Sequence, residues 1–454
     1  MNHQEAMDFL YSRVNYETFV RIPYLELGKN LERLERFLVH CGSPHLRYPV
    51  IHVAGTKGKG STCSLIDAIF SSAGYCVGRF TSPHLNSVHE RFTIGGVPCS
   101  REEFTEIVSW IKQRLDAPLW KDKELQEDNE SFTFFELTTV FALEYFTRRN
   151  VDIAVLEVGL GGRFDATNIC RPTVTVITNI HLEHTELLGD TLPLIAAEKA
   201  GIIKETIPVI SGVLQPGARD VIRQTALSRH APVIEAGTDF HVISHADQTF
   251  DYVSGPTRWD SLQLGMLGKH QQDNAALALT TARIFMQNGW KITEDAIRHA
   301  LQTTTLSARI EKLRDFPTVI IDGAHNPASA EALVATLKEC FSHHKWWLLF
   351  GVNQDKDVAG ILAILLPHFE EVVFSEAKST KRAVPAAELS KLAAEKKLAA
   401  ELPNFSSRVK AIPDAEAALH EVLSRAEPTD LICATGSLYF AAEIQEILRR
   451  HPAL

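Results

Sequence analysis

The sequence predicts an α/β protein with a large, mainly parallel sheet followed by a second, smaller α/β domain. Three observations predict it. Short apolar runs of strand length alternate with longer helical patterns along most of the chain, the mark of βαβ units. The first strand-like run ends in a glycine-rich, lysine-bearing turn that opens a helix. A polar run, Gln302–Ser307, breaks the alternation and marks a domain boundary. At 454 residues the chain is long enough for two or three cores.

In chain order, the first residues, MNHQEAMDFLYSRVNYE, hold no apolar signal core. Buried strands are predicted at Val50–Ala54, Ile153–Val158, Val174–Asn179 and Pro208–Val213, then at Val319–Asp322, Trp346–Phe350, Glu371–Phe374 and Leu431–Ala434. Helices are predicted from Ser64 to Ala73 and at Phe132–Arg148, Leu192–Ala200, Asn274–Asn288, Ser329–Cys340 and Phe440–Arg449. Between about Gln215 and Gly265 the periodicity weakens, and short, partly antiparallel strands are expected. Lys121–Glu130 reads as a charged, exposed loop.

Composition narrows the function. A net charge of −10 argues against a general nucleic-acid binder, whose affinity rests on a basic surface. The 7 cysteines form no C-x-x-C pair, which suits a reducing cytosol without a disulfide framework or zinc cluster. No apolar stretch is long enough to span a bilayer.

The chemistry concentrates in a few places. Ile51–Thr62 reads IHVAGTKGKGST, with Gly55, Thr56, Lys57, Gly58, Lys59, Gly60, Ser61 and Thr62 forming a phosphate cradle. Glycines aim backbone N–H groups at one anion, and the helix start adds partial positive charge. Lys59 can reach outer phosphates, and the Ser61 hydroxyl can ligate Mg²⁺. Gly60 separates Lys59 from Ser61, so the strict P-loop pattern is not met, and a flexible basic turn is the plain alternative. Asp152–Asn168 delivers Glu157 near the end of a strand, then glycines and Asp165-Ala166-Thr167-Asn168. Ligands of open α/β sheets bind at such strand ends, so Glu157 is a natural Mg²⁺ ligand; an edge carboxylate paired with a cation is the alternative. His184 follows another buried strand, with metal ligation and ordinary packing equally open. Lys199 falls late in a helix, where a lysine normally snorkels to solvent. Asp273 or Asn274 could cap a helix. Asp322 and His325 sit in IIDGAHNP, another strand end followed by a turn.

Together these motifs resemble the folate branch of the Mur ligases. The resemblance runs from about residue 20 onward and rests on an ordered set: VAGTKGKGS, TSPHL, ER, FFELTT, LEVGLGGRFDATN, EHTELLGDT, EKAGI, HQQDNAA, DGAHNP, DKD and TGS. It implies a P-loop-type Mur ligase central domain at residues 1–304 and a smaller Rossmann-like domain, on the glutamate side, at 305–454. It implies an ATP-dependent acid–amino-acid ligase that adds L-glutamate to a reduced folate, to dihydropteroate, or to both, through an acyl phosphate, with ATP and two Mg²⁺ ions. A monomeric cytoplasmic enzyme working on small molecules, without nucleic acid or membrane, is expected. Another Mur-type ligase acting on a non-folate acid, or an NTPase without ligase activity, are the alternatives.

Family roles carry over by position. Gly55–Ser61 match the ATP loop, and Ser61, Glu157 and His184 match the ligands of one Mg²⁺. Lys199 matches a lysine that the family carbamylates to bind a second ion. Asn274, Arg309 and Asp322 match nucleotide contacts, and His325 a position near the incoming glutamate. Ser82, His84 and Asp165 are placed on the substrate side, with Phe134, Phe135 and Glu136 as further folate-side candidates. The sequence departs from the family at Glu183, usually Asp; at Ser307-Ala308-Arg309, usually Pro-Gly-Arg; and at Lys57, Asn in many bacterial relatives.

Overall fold

Val50–Ala54 is rich in apolar and β-branched residues, and in the computed structural model every one of its positions is buried, as in a strand covered on both faces. The structure describes residues 1–15, 27–117, 120, 132–342, 345–380, 382–395 and 408–451; the expected loop Lys121–Glu130 lies outside them. The strands in chain order are β1 (Val50–Ala54), β2 (Val77–Phe80), β3 (Phe92–Ile94), β4 (Val97–Pro98), β5 (Ile153–Glu157), β6 (Val174–Ile177), β7 (Val209–Ser211), β8 (Val233–Glu235), β9 (His241–Ser244), β10 (Phe250–Ser254), β11 (Thr257–Leu262), β12 (Glu311–Asp315), β13 (Thr318–Ile321), β14 (Trp346–Phe350), β15 (Glu371–Glu376), β16 (Val409–Asp414) and β17 (Leu431–Thr435). The chain divides into two units, Met1–Leu264 with Gln272–Thr304, and Gly265–Gln271 with Thr305–Leu454.

The first unit holds a sheet of order β4-β3-β2-β5-β1-β6-β7-β8. From β2 to β8 its neighbours run parallel, while β3 and β4 add an antiparallel edge. After β1 the chain builds β2 and β5 on one side, then returns to the other side with β6. That reversal makes the carboxyl ends of β5, β1 and β6 a natural ligand crevice. Register puts Val53 beside Glu157 and Ala54 beside Ile177, so the segments leaving these three strands emerge side by side. One apolar cluster of this unit gathers Phe37, Phe80, Phe92, Phe104 and Phe141, and another gathers Ile177, Ile195, Ile203 and Ile222.

The predicted helices form at Lys59–Ser72, Phe134–Arg148, Leu192–Ala200, Lys269–Gln287, Pro327–Cys340 and Leu438–Arg450. The stretch from Gln215 to Gly265 needs correction. Its later part is the antiparallel meander β9-β10-β11, as expected, but Pro216–Ser228 is a helix and β8 joins the parallel sheet. Ala218, Ile222 and Ala226 are the buried positions of that helix. Their four-residue spacing gives a narrow stripe of mostly small side chains, too weak to stand out in sequence, and Pro216 starts the helix where its missing N–H is harmless.

The second unit is a sheet of order β12-β13-β17-β14-β15-β16, parallel except for β12. Asp322 leaves β13 at its carboxyl end. Among the described residues no helix is long and apolar enough to cross a membrane.

Candidate active site

The turn after β1 can be built only with glycine at two positions. Gly55 and Gly58 have φ of 151° and 79°. A Cβ on Gly55 would lie 1.8 Å from Thr178 Oγ1, and one on Gly58 would lie 2.2 Å from Asn274 Oδ1. Gly58 is also the N-cap of the Lys59–Ser72 helix and supplies no side-chain cap, so the first-turn N–H groups face the loop. Ser61 is buried in that turn. The Lys59 ammonium folds back over the loop, donating to Gly55 O at 3.1 Å and Thr56 O at 3.4 Å. From the β6 side, Asn179 takes Lys57 N–H on its Oδ1 at 2.9 Å, and Thr178 Oγ1 donates to Lys57 O at 2.6 Å. Lys57 Nζ is ion-paired with Glu183.

Glu157, at the end of β5, is buried beside this turn. A Cβ on Gly60 would lie 3.6 Å from its Oε2, which accepts the Ser82 N–H at 3.1 Å. Its position thus joins the Ser61 turn to the Ser82 segment. His184 follows β6 and has φ of 52°, with its carbonyl accepting the N–H groups of Leu187 and Leu188 at 2.9 Å.

Lys199 does not snorkel. It is 5% exposed, and its Nζ donates to Gly55 O at 2.9 Å. Two lysine side-chain nitrogens, those of Lys59 and Lys199, therefore converge on one carbonyl oxygen. Burial first, then Lys59, pulls Lys199 from 10.5 down to about 7, so near neutrality much of it is an uncharged, nucleophilic amine.

The donor set fits magnesium. Among the described residues no three or more His, Cys, Asp and Glu side chains gather as a metal-holding group. Mg²⁺ does not need one, since it keeps several waters and takes one or two carboxylates together with phosphate oxygens. A buried Glu157 against the helix start that carries Ser61 offers that kind of partial shell.

The substrate-side candidates divide. His84 Nδ1 accepts from Arg91 Nε at 2.8 Å, and the Arg91 guanidinium lies 5.2 Å from the Phe134 ring centroid. Phe135 packs where a Cβ on Gly159 would fall, 2.6 Å from its Cζ, and neighbours Phe80. Asp165 instead spends both oxygens internally. Oδ2 accepts the N–H groups of Gly159 and Leu160 at 3.0 Å, while Oδ1 accepts Thr167 N–H and its hydroxyl. This carboxylate shapes the glycine loop after β5. Glu136 likewise closes a capping box with Thr133 and pairs with buried Arg33 at 3.3 Å. Sequence reasoning missed Arg33, and it missed Thr178 and Asn179 as supports of the loop. Two polar residues closing a buried strand were the available signal for the latter pair.

In the second unit Asp322 is 6% exposed and braces the Arg309 segment. Its Oδ2 accepts Ile310 N–H at 2.9 Å and its Oδ1 accepts Ala324 N–H at 2.8 Å. His325 Nδ1 meets Gly323 O at 2.8 Å, which places the ring proton on Nδ1. Ala308 and Ile310 flank Arg309 at φ of 54° and 51°. A left-handed alanine carries strain that glycine lacks, partly offset by the greater freedom glycine loses on folding. Ala308→Gly is therefore expected to raise unfolding free energy by roughly 0.5–1 kcal/mol, read from denaturant midpoints at unchanged slope.

The Mur ligase middle domain matches residues 53–282, and the Mur ligase glutamate ligase domain matches residues 308–438. The chain is 32% identical to the dihydrofolate synthase/folylpolyglutamate synthase of Bacillus subtilis, over 98% of this chain and 99% of that one. The chain belongs to the folylpolyglutamate synthase/dihydrofolate synthase family of Mur ligases. The folylpolyglutamate synthase of Lacticaseibacillus casei is 33% identical, over 99% of both chains. A crystal structure of Mycobacterium tuberculosis folylpolyglutamate synthase complexed with ADP and AMPPCP superposes with a TM-score of 0.84 at 30% identity, covering 98% of this chain and 97% of that one. With both Mur ligase domains and relatives of these names, the chain is an ATP-dependent ligase.

Proposed function

We propose that this enzyme joins L-glutamate to the carboxylate of a reduced folate, and also to dihydropteroate, at the expense of ATP. The observation that supports it most is the meeting, at one sheet edge, of an uncapped phosphate loop, the acid Glu157 and the buried amine of Lys199. The first-turn N–H groups and Lys59 hold the outer phosphates, and Asn274 lines the loop. Arg309 and Asp322 are assigned to the nucleotide, with Asp322 acting through the backbone it braces. Ser61, Glu157 and His184 would hold one Mg²⁺, and Lys199, once carbamylated, a second. When bound, these ions neutralise charge on the transferring phosphoryl group.

A carboxylate is a poor electrophile, and phosphorylation gives it a leaving group. The substrate carboxylate oxygen attacks the γ-phosphorus, the bond to the β-phosphate oxygen breaks, and ADP leaves. The neutral amine of glutamate then attacks the acyl carbon. Inorganic phosphate departs, and the amine loses a proton. The protein's share is positioning and electrostatics: Lys59 meets the charge that develops on the phosphoryl oxygens. His84, Ser82 and the Phe135 face are assigned to the folate side, and His325 to glutamate, its Nδ1–H fixed by Gly323 so that Nε2 is the acceptor. Asp165 serves the same reaction by holding the loop after β5. We place the enzyme in the cytoplasm as a monomer.

The test is phosphate release with ATP, Mg²⁺ and L-glutamate, comparing tetrahydrofolate with dihydropteroate, each product weighed for one added glutamate. Glutamate-dependent turnover with both is expected. Turnover with tetrahydrofolate alone would remove the dihydropteroate activity, and release without need for glutamate would replace the ligase reading by a simple NTPase.

A further inference from the structure

Lys57 and Lys59 are two residues apart in one cationic loop, yet their ammonium groups are engaged differently. Lys59 Nζ lies across the mouth of the turn, on Gly55 O and Thr56 O. Lys57 Nζ is held by Glu183, one residue before His184. The rest of Lys57 is fixed from the same direction: its N–H goes to Asn179 Oδ1 at 2.9 Å, and its carbonyl takes Thr178 Oγ1 at 2.6 Å and Asn179 Nδ2 at 3.0 Å. Thr56 repeats the pattern, with its N–H on Asn179 O at 2.9 Å and its Oγ1 accepting His181 N–H at 3.1 Å. Loop residues 56–57 are thus laced to residues 178–183, and the Lys57–Glu183 pair is the last stitch before His184.

His184 needs such support. It is a non-glycine residue at φ of 52°, a conformation that persists only where its surroundings over-determine it. On its far side the short helix Thr185–Leu188 takes its carbonyl. On its near side the side-chain anchor is Glu183, and what holds Glu183 is Lys57. With side chains 33% and 25% exposed, the pair is sheltered enough to act as more than a solvated surface contact.

We propose that Lys57 and Glu183 are positioning residues of the nucleotide site, an ionic latch that fixes the phosphate loop against the turn presenting His184, so that Lys57 serves ATP through Glu183 and not by contact with phosphate. This rests on the nucleotide reading above. The same geometry would allow the opposite role, in which Lys57 leaves Glu183 to grip phosphate, and the two differ in how the residues couple.

The test uses the full-length enzyme with Lys57→Met, Glu183→Gln, the double variant, and the reversed pair Lys57→Glu with Glu183→Lys. ADP affinity in Mg²⁺ is measured by calorimetry, alongside kcat and the KM values for ATP and glutamate. Each single variant is expected to weaken ADP and raise KM for ATP by about tenfold, an interaction of about 1.4 kcal/mol, leaving KM for glutamate unchanged. The double variant should be no worse than the worse single, and the reversed pair should recover much of the loss. Should a single variant fail to fold, the reversed pair decides the matter, because it keeps an ion pair between the two positions while removing the cation at 57 that a phosphate ligand would need. A defect in Lys57→Met with Glu183→Gln unaffected, adding independently in the double, would overturn the latch and make Lys57 a phosphate ligand. Unchanged affinity in every variant would overturn it too. If the unaltered enzyme binds ADP but shows no glutamate-dependent turnover, the ligase reading falls while ADP affinity still decides the latch.

Discussion

Lys59→Met is expected to lower kcat/KM for ATP by about 10²–10³-fold, the usual cost of removing one donor aimed at developing charge. The fold should survive. Among the described residues the ammonium makes two bonds, both to carbonyl oxygens of its own loop, and one of those carbonyls, Gly55 O, also receives Lys199. Methionine keeps the length and apolar stem while deleting the charge. Thermal midpoints should therefore stay close to those of the unaltered protein, whereas phosphate release collapses. The two readouts separate a phosphate-handling lysine from a structural one. A wild-type rate in Lys59→Met would return the loop to the plain alternative of a flexible basic turn. A loss of fold would mean that the ammonium is needed to close the turn itself.

Much of this site could be read from the chain because strand ends are punctuated chemically. β1, β5, β6 and β13 are apolar runs that stop at Gly55, Glu157, Thr178-Asn179 and Asp322, and a buried strand ending in glycine or a polar residue marks the ligand-facing edge of an open α/β sheet. What could not be read is which polar group is spent on the protein itself. Asp165 and Glu136 look in sequence like ligand-facing acids, yet each is used up by backbone N–H groups and neighbouring side chains. Lys199 misleads in the other direction: late-helix spacing suggests a solvated lysine, and only the packing of its helix against the loop buries it. Lys57 and Glu183 read as two unconnected departures from the family pattern, and only the register of β1 against β6 brings them together. Ala308 is the converse case. The sequence marks it as a lost glycine, and its φ of 54° says what the loss costs.

Lys199→Met is expected to give a protein that is folded and nearly inactive, with turnover reduced by about 10²–10³-fold, comparable to losing a positioned electrostatic group. The stability half of this result follows from charge. Burial, then Lys59, brings the folded-state value from 10.5 to about 7. Between those values the unfolded chain binds one proton more than the folded chain, so this lysine makes stability rise with pH from about 7 upward. Below 7 the folded chain must keep a buried cation, Lys199, beside the part-buried Lys59. Methionine abolishes both effects, so the variant should match or exceed the unaltered protein in stability at pH 6 and lose that part of the slope between pH 7 and 10. The activity half follows from the same uncharged amine. Neutral Lys199 can add CO₂ at nitrogen and release a proton, which turns an uncharged amine next to Lys59 into an anion able to face both Lys59 and a metal ion. Acid should therefore deplete the modified form as the amine takes up a proton near pH 7. With ¹³C-bicarbonate, a carbamate resonance should appear in the unaltered enzyme, fade below that pH, and be absent from Lys199→Met. An active Lys199→Met would remove the lysine from the machinery. An inactive variant whose parent never shows the resonance would keep Lys199 in the site as a bare amine, holding Gly55 O and the loop it closes.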